Sequence, residues 1–229
     1  ATNADNVTCK FQNTGITGTS NYFGLVRQNV NSSVTGIRQS AFIADLLTGN
    51  NAGAFTGVSD PRAWYIIREN PNGTFKGITP WQGNSGLVLN DRPRNFLGYA
   101  YDSTGYPYAD QRGRYIFRDE AEWPVMTASE MQFLKAEAAL RKGDKATALS
   151  AYTNAISMNF DMLSTKYNLL IPAGNEITPV NKAAYMANTA IVPASPNGMT
   201  LTRIMLQKYI ALYAWGVQVT WADMRRYHY

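Results

Sequence analysis

The chain is poor in the side chains that most catalytic and metal chemistry draws on. A single cysteine, Cys9, in 229 residues excludes an internal disulfide and any site built on several thiolates. A single histidine, His228, leaves no imidazole cluster for a metal, and a Ser-His-Asp arrangement would have to use it beside Asp223. There is no Gly-x-Ser-x-Gly elbow to expose a nucleophile. Gly83-Asn84-Ser85-Gly86 lacks the lysine and the following helix that a phosphate cradle requires. Charged residues are only 16% of the chain, and no run approaches the roughly 18 apolar residues that span a bilayer. The sequence calls for neither cofactor nor metal.

What is present suits a globular protein with a sizeable core and an unusually uncharged surface, hydrophobic residues being 45% of the total. Gly 18, Pro 10 and Tyr 14, with many Asn, Ser and Thr, point to long ordered loops. The net charge of +5 comes mainly from scattered arginines. Arg92 and Arg94, Arg112, Arg114 and Arg118, and Arg225 and Arg226 lie among aromatics, as in nucleic-acid binders, but they form no single stripe. No nucleic-acid partner is expected.

The strongest local signal is a helix hairpin over Met126–Phe160. Thr127 and Glu130 have the spacing of a capping box, and the helix they open is predicted to run to Lys142. Gly143 suits the left-handed residue that closes a helix, and Asp144 suits the cap of the next. Ala136, Ala138, Ala139, Ala148, Ala151 and Ala155 allow close backbone approach, with Leu140, Tyr152 and Ile156 filling the gaps. Small residues about a Gly-Asp turn are the pattern of a tetratricopeptide-type unit, which needs stacked neighbours to bury its faces. No second copy is visible in the sequence.

Elsewhere, Ser40–Leu47 reads as a short helix capped by Ser40 and stopped at Gly49. Turn formers are dense from Gly49 to Trp123, with brief β-prone pieces at Trp64–Arg68 and Leu87–Leu89 and an extended run at Tyr22–Gln28. Lys182–Ala187 is predicted to make one or two helical turns. Thr200 is predicted to cap a buried helix from Leu201 to about Val217. The prediction is a mainly α protein with a large irregular layer over residues 1–125 and a helical part over 126–229, in one continuous domain. Ending on Arg225-Arg226-Tyr227-His228-Tyr229, without cap or polar tail, it reads as a truncated fold.

Aromatic density in the turn-rich segment marks the candidate site. Sugar rings offer C–H faces that stack on aromatic planes, and hydroxyls that pair with carboxylates, amides and guanidinium groups. The candidate stacking residues are Trp81, Tyr99, Tyr101, Tyr106 and Tyr108, with Asp102 and Arg92 as polar partners. Asp119, Glu120 and Glu122 also sit together, and a glycosidase needs two carboxyl groups roughly 5–10 Å apart. Surface pairing with nearby arginines and helix N-terminal charge explain that cluster equally well.

Three stretches together resemble the SusD/RagB-type nutrient-binding lipoproteins of bacterial outer membranes. They are Ala136–Asp144; Gln207–Gly216 running on to Trp221-Ala222-Asp223-Met224-Arg225-Arg226-Tyr227; and the turn Ser59-Asp60-Pro61-Arg62. The resemblance covers most of the chain from about residue 59. It implies tetratricopeptide-like helix pairs in an α-α superhelix, with short strands and an irregular ligand-bearing layer. It also implies a non-enzymatic surface lipoprotein that captures oligosaccharides, or peptides, and delivers them to a TonB-dependent, SusC-like transporter. The lipidated N-terminal cysteine, the early helix pairs and a C-terminal segment are missing from the pattern, so a piece of a longer chain is expected. The rival readings are a tetratricopeptide-type interaction scaffold and a glycoside hydrolase using Asp119 and Glu122.

Overall fold

The computed structural model describes residues 2–12, 19, 21, 37–98 and 113–227. The fold is mainly α: among the described residues there are seven α-helices and one two-stranded sheet. In chain order they are β1 (Val7–Cys9), α1 (Ala41–Thr48), α2 (Ala63–Ile66), β2 (Trp123–Met126), α3 (Ala128–Arg141), α4 (Lys145–Lys166), α5 (Pro179–Ala187), α6 (Leu201–Ala211) and α7 (Val217–Tyr227). None of these helices is long and apolar enough to cross a membrane. The chain divides into two compact units, one of Ala1–Cys9, Trp123–Ser164 and Thr178–Tyr229, the other of Lys10–Glu122 and Thr165–Ile177.

In the first unit the predicted hairpin is present. Thr127 Oγ1 accepts the Glu130 N–H at 3.1 Å to open α3, and Gly143, at φ +81°, turns the chain. Asp144 Oδ1 accepts the Thr147 N–H at 3.0 Å to open α4. Only the hydroxyl half of the expected capping box forms. The Glu130 side chain is buried instead near Lys208 and Asp223, where burial pushes its carboxyl above the usual range against the pull of the Lys208 ammonium.

Ala136, Ala148 and Ala155 are fully buried, as their size and spacing require, with Phe133, Tyr152, Ile156 and Phe160 packed among them. Phe133 and Tyr152 meet edge-on, centroids 6.3 Å apart, and Tyr152 donates its hydroxyl to the Ile191 carbonyl at 2.9 Å. Ser129 Oγ reaches across the hairpin to the Ala155 carbonyl at 2.8 Å. Ala138, expected at the interface, is exposed, and Leu140 is only half-buried. Two residues on from Ala136, Ala138 falls on the opposite side of a 3.6-residue turn.

The predicted helix from Leu201 to about Val217 ends early, at Ala211. Thr200 caps α6 as expected, but the chain breaks at Leu212–Gly216, where Ala214 takes φ +71°, and restarts as α7. β1 pairs antiparallel with β2, Val7 opposite Met126 and Cys9 opposite Trp123, a ladder too short for its alternation to be read beforehand.

In the second unit α1 begins after Ser40, whose side chain makes no cap bond, contrary to expectation, since its backbone is instead taken up in the bridge to Ile78, and it ends at Gly49, in the left-handed conformation at φ +77°. Ile43, Leu46 and Leu47 of α1 join Tyr65, Ile66, Ile67, Leu97 and Ile116 in the core. The β-prone piece Trp64–Arg68 is in fact the helical turn α2 followed by irregular chain, and Leu87–Leu89 leads into a 3-10 turn at Leu89–Asp91. Local β-propensity yields there to the Asp60-Pro61-Arg62 turn: Asp60 accepts the Ala63 N–H on its carbonyl and the Arg62 N–H on its carboxylate. Tyr22–Gln28 lies outside the described residues.

Arg114, nearly buried, forks onto Glu69 through two bonds of 2.8 and 3.0 Å. Burial alone would raise the Glu69 carboxyl, but Arg68 and Arg114 beside it hold it below its ordinary 4.5. A carboxyl depressed by folding adds stability above its unfolded value, and that contribution is lost as pH falls through the folded value. Glu69→Gln is therefore expected to lower stability at pH 7 and to converge on the wild type as pH falls below 4.5, read by urea unfolding at several pH values.

Candidate functional site

The most exposed aromatic among the described residues of the turn-rich unit, Trp81, is presented by a strained turn. In Thr79-Pro80-Trp81-Gln82 the Gln82 N–H closes back on the Thr79 carbonyl at 3.2 Å, with proline at the second position. The third position needs the left-handed region, usually filled by glycine, and here Trp81 sits at φ +73°. A side chain in that region costs roughly 1–2 kcal/mol. The indole is fully exposed, at 104%. The turn continues into a 3-10 helix, Gly83–Gly86, with Ser85 Oγ donating to the Gln82 carbonyl at 2.6 Å.

Arg92, expected as a polar ligand contact, is half-buried, and its Nε donates to the Leu87 carbonyl at 3.1 Å. Its neighbour Asp91 accepts Lys76 Nζ at 2.7 Å and Asn72 Nδ2 at 3.3 Å, and the Lys76 bond is the main reason its carboxyl lies below the usual range. Asn70 ties the same region together, donating Nδ2 to the Asp91 carbonyl at 3.3 Å and to Thr74 Oγ1 at 2.8 Å. The loop that carries Trp81 is thus fastened where it returns, at Leu87–Arg92.

The other aromatics of the segment separate by burial. Tyr65, Phe96 and Tyr115 are core residues: Phe96 stacks on Phe117 at 4.4 Å, and Tyr115 meets Tyr167 edge-on at 4.8 Å. Trp64 is half-buried against Phe75, rings 4.8 Å apart at 73°. Tyr99, Tyr101, Asp102, Tyr106 and Tyr108 lie outside the described residues.

The carboxylate cluster has structural partners. Asp119 is buried at 1% exposure and its carbonyl accepts the Asn21 N–H at 2.9 Å, while Asn21 Nδ2 bridges the carbonyls of Ile116 and Ala121, each at 3.0 Å. Glu122 meets Lys166 Nζ at 3.1 Å, and the Tyr167 hydroxyl donates to the Glu122 carbonyl at 2.7 Å. Among the described residues no three His, Cys, Asp or Glu side chains gather as a metal would need.

Sequence reading missed two features. Pro80 marks the turn that carries the left-handed Trp81, but proline at the second position suits turns of either sign of φ at the third, so the sequence did not announce it. An open cleft beside α1 had no signal, because Asp45 and Thr74, which line it, are 29 residues apart in an irregular layer.

The chain is similar over its whole length to two solved structures. One is a SusD homologue of Bacteroides fragilis, at 18% identity and a TM-score of 0.63, covering 100% of this chain and 46% of that one. The other is a SusD homologue of Bacteroides uniformis, at 22% identity and a TM-score of 0.57, covering 100% and 44%. The chain thus spans less than half the length of either. None of the curated proteins matches it. A family model described as starch-binding and associating with the outer membrane matches residues 1–229, including the stretch before Ser59 that carries no recognisable motif. Over all of its length, therefore, the chain belongs to the SusD-like family.

Proposed function

We propose that this chain forms part of a non-catalytic, surface-exposed lipoprotein of the outer membrane that captures an oligosaccharide and passes it to a TonB-dependent, SusC-like transporter. The observation that carries the reading is the family match over residues 1–229 to a group described by starch binding at the outer membrane. The geometry supports it through Trp81, which holds a large apolar plane in solvent at the expense of backbone strain. Strain of this kind collects at binding sites. The irregular part before residue 126 faces the ligand and the helical part after it supplies support. Tyr99, Tyr101, Tyr106 and Tyr108, with Asp102, are proposed as further ligand contacts on the chemistry of their side chains; Arg92 serves by fixing the Leu87 turn. The buried Asp119 and the Lys166-paired Glu122 act in structure.

Calorimetry of the chain with maltoheptaose, laminarihexaose and xylohexaose tests this. Binding of at least one is expected, and Trp81→Ala is expected to weaken it about tenfold by removing the stacking plane. Trp81→Gly is expected to weaken it equally while raising stability by up to about 1 kcal/mol, because glycine relieves the left-handed strain. Heat from peptides and from none of the sugars would reassign the ligand class. Release of reducing sugar that vanishes in Asp119→Asn would make the protein a hydrolase instead.

A further inference from the structure

Beside α1 the second unit has an open cleft of about 450 Å³, within the size range of small-molecule sites. Its two walls are fixed to each other. The Ala41 N–H donates to the Ile78 carbonyl and the Ile78 N–H to the Gln39 carbonyl, each at 2.9 Å, so Ser40 and Ile78 pair in parallel. Gln39 Nε2 adds bonds to the carbonyls of Arg68 at 2.6 Å and Lys76 at 2.9 Å. At Gly77 the backbones are so close that a Cβ would lie 2.0 Å from the Ser40 oxygen. The cleft is preformed and needs no ordering on binding.

Its polar groups are mixed in kind and only partly used. The Asp45 carboxylate lines the cleft, half-buried, with no hydrogen-bond or ion-pair partner among the described residues. Asn50 Nδ2 donates to Thr48 Oγ1 at 3.0 Å, which leaves the Asn50 carbonyl oxygen as an acceptor. Thr74 Oγ1 accepts from Asn70 at 2.8 Å and keeps its own hydrogen to give. Lys76 gives one N–H to Asp91 at 2.7 Å and retains two more. Phe75 and Leu87 complete the lining with apolar surface.

Fixed acceptors and donors beside an apolar wall match a group that both donates and accepts and has C–H faces. A phosphate would be opposed by Asp45, and a simple cation by Lys76. We infer that this cleft is a subsite for a neutral oligosaccharide, whose hydroxyls donate to the Asp45 carboxylate and the Asn50 oxygen while a ring face lies on Phe75. The inference rests on the oligosaccharide-binding reading above and gives it a second place of contact besides Trp81. Arg92, through its bond to the Leu87 carbonyl, is a positioning residue for the wall of this subsite.

The test uses the whole chain and the same three sugars. Asp45→Asn, nearly isosteric, is expected to weaken binding about tenfold by replacing a charge-assisted acceptor, and Asn50→Ala several-fold, both with unchanged circular dichroism. Backbone amide NMR signals of Thr48, Thr74 and Phe75 are expected to shift as sugar is added. Wild-type affinity in both variants, or amide signals here that stay still while Trp81→Ala weakens binding, would remove the cleft from the site and leave the binding function standing. Asp45-dependent binding of trilysine without sugar binding would overturn the ligand class. A wild-type chain that binds none of the three sugars would end both readings.

Discussion

Replacing Asp60 by alanine is expected to lower the stability of the loop-rich unit by about 3–5 kcal/mol, the usual cost of stripping one partner from a buried ion pair. Arg62 is completely buried, and Asp60 is 2% exposed. The carboxylate takes Arg62 Nη2 at 2.6 Å on Oδ2 and Nε at 3.0 Å on Oδ1, and Oδ1 also takes the Arg62 backbone N–H at 2.9 Å. Alanine would leave a guanidinium without its counter-charge in the core and would release the turn that starts α2. Domains of this size have total stabilities of about 5–15 kcal/mol, so much of the margin would go. Asp60→Asn, which keeps one acceptor oxygen, is expected to lose less. The double variant Asp60→Ala/Arg62→Met should recover a good part of the loss, because no charge is then left buried. Urea titration of the three variants measures this; an Asp60→Ala within about 1 kcal/mol of wild type would mean that Arg62 reaches water or other acceptors.

Gly77→Ala is expected to be as damaging although it adds one methyl group. The new Cβ would lie 2.0 Å from the Ser40 oxygen, 2.2 Å from its carbon and 2.4 Å from the Ala41 nitrogen, all backbone atoms that no rotamer change can move. Overpacking of a fixed site costs about 1–3 kcal/mol, and separating the walls gives up the two bonds of the Ser40–Ile78 bridge at about 1 kcal/mol each. A loss of about 3–5 kcal/mol follows. It should come with loss of sugar binding, since the cleft beside Asp45 opens with the bridge. Gly57, at φ +76° with nothing within 4 Å of its would-be Cβ, is the control: Gly57→Ala should cost only backbone strain of about 1 kcal/mol. If Gly77→Ala binds and unfolds like wild type, the two walls are not held as described.

Where local chemistry decided the outcome, the sequence was readable. The α3–α4 hairpin followed from Thr127, the Gly143-Asp144 turn and alanines at helical spacing, and the end of α1 from Gly49, while Ser40 stands at its start without a side-chain cap bond. The Leu201 helix was placed correctly at its start because Thr200 is a local cap, and wrongly at its end. Leu212–Gly216 contains no proline and only a final glycine, so nothing local announced the break at Ala214. The two strands were missed for a related reason: three or four residues paired across more than a hundred leave no periodicity to detect.

Recognition by motif reached further than physics here. Asp60-Pro61-Arg62 and Trp221–Tyr227 pointed to the family, and both have evident structural employment, the first as a buried ion pair and the second as α7. The site was less legible. Of the five aromatics chosen in the turn-rich segment, Trp81 is among the described residues and is fully exposed, while Tyr65, Phe96 and Tyr115, which were not chosen, fill the core. Arg92 was chosen for its charge, and its Nε donates to a carbonyl of its own loop. Asp45 escaped notice because its value depends on where Thr74–Gly77 passes, a long-range fact in a region without regular structure.

The helix α7 contributes no buried residue, yet its Asp223 meets the nearly buried Lys208 at 2.7 Å, and its Arg226 meets Glu137 of α3 at 3.0 Å. Tyr227 adds a hydroxyl bond to Glu137, with the guanidinium of Arg141 4.9 Å above its ring. Its attachment is therefore ionic more than hydrophobic. Lifting it away would leave Lys208 and Glu137, both nearly buried, without these partners, so a helix with no buried residue of its own is held by charges that salt screens little. Amide hydrogens along 217–227 are then expected to exchange more slowly than its lack of buried side chains alone would suggest.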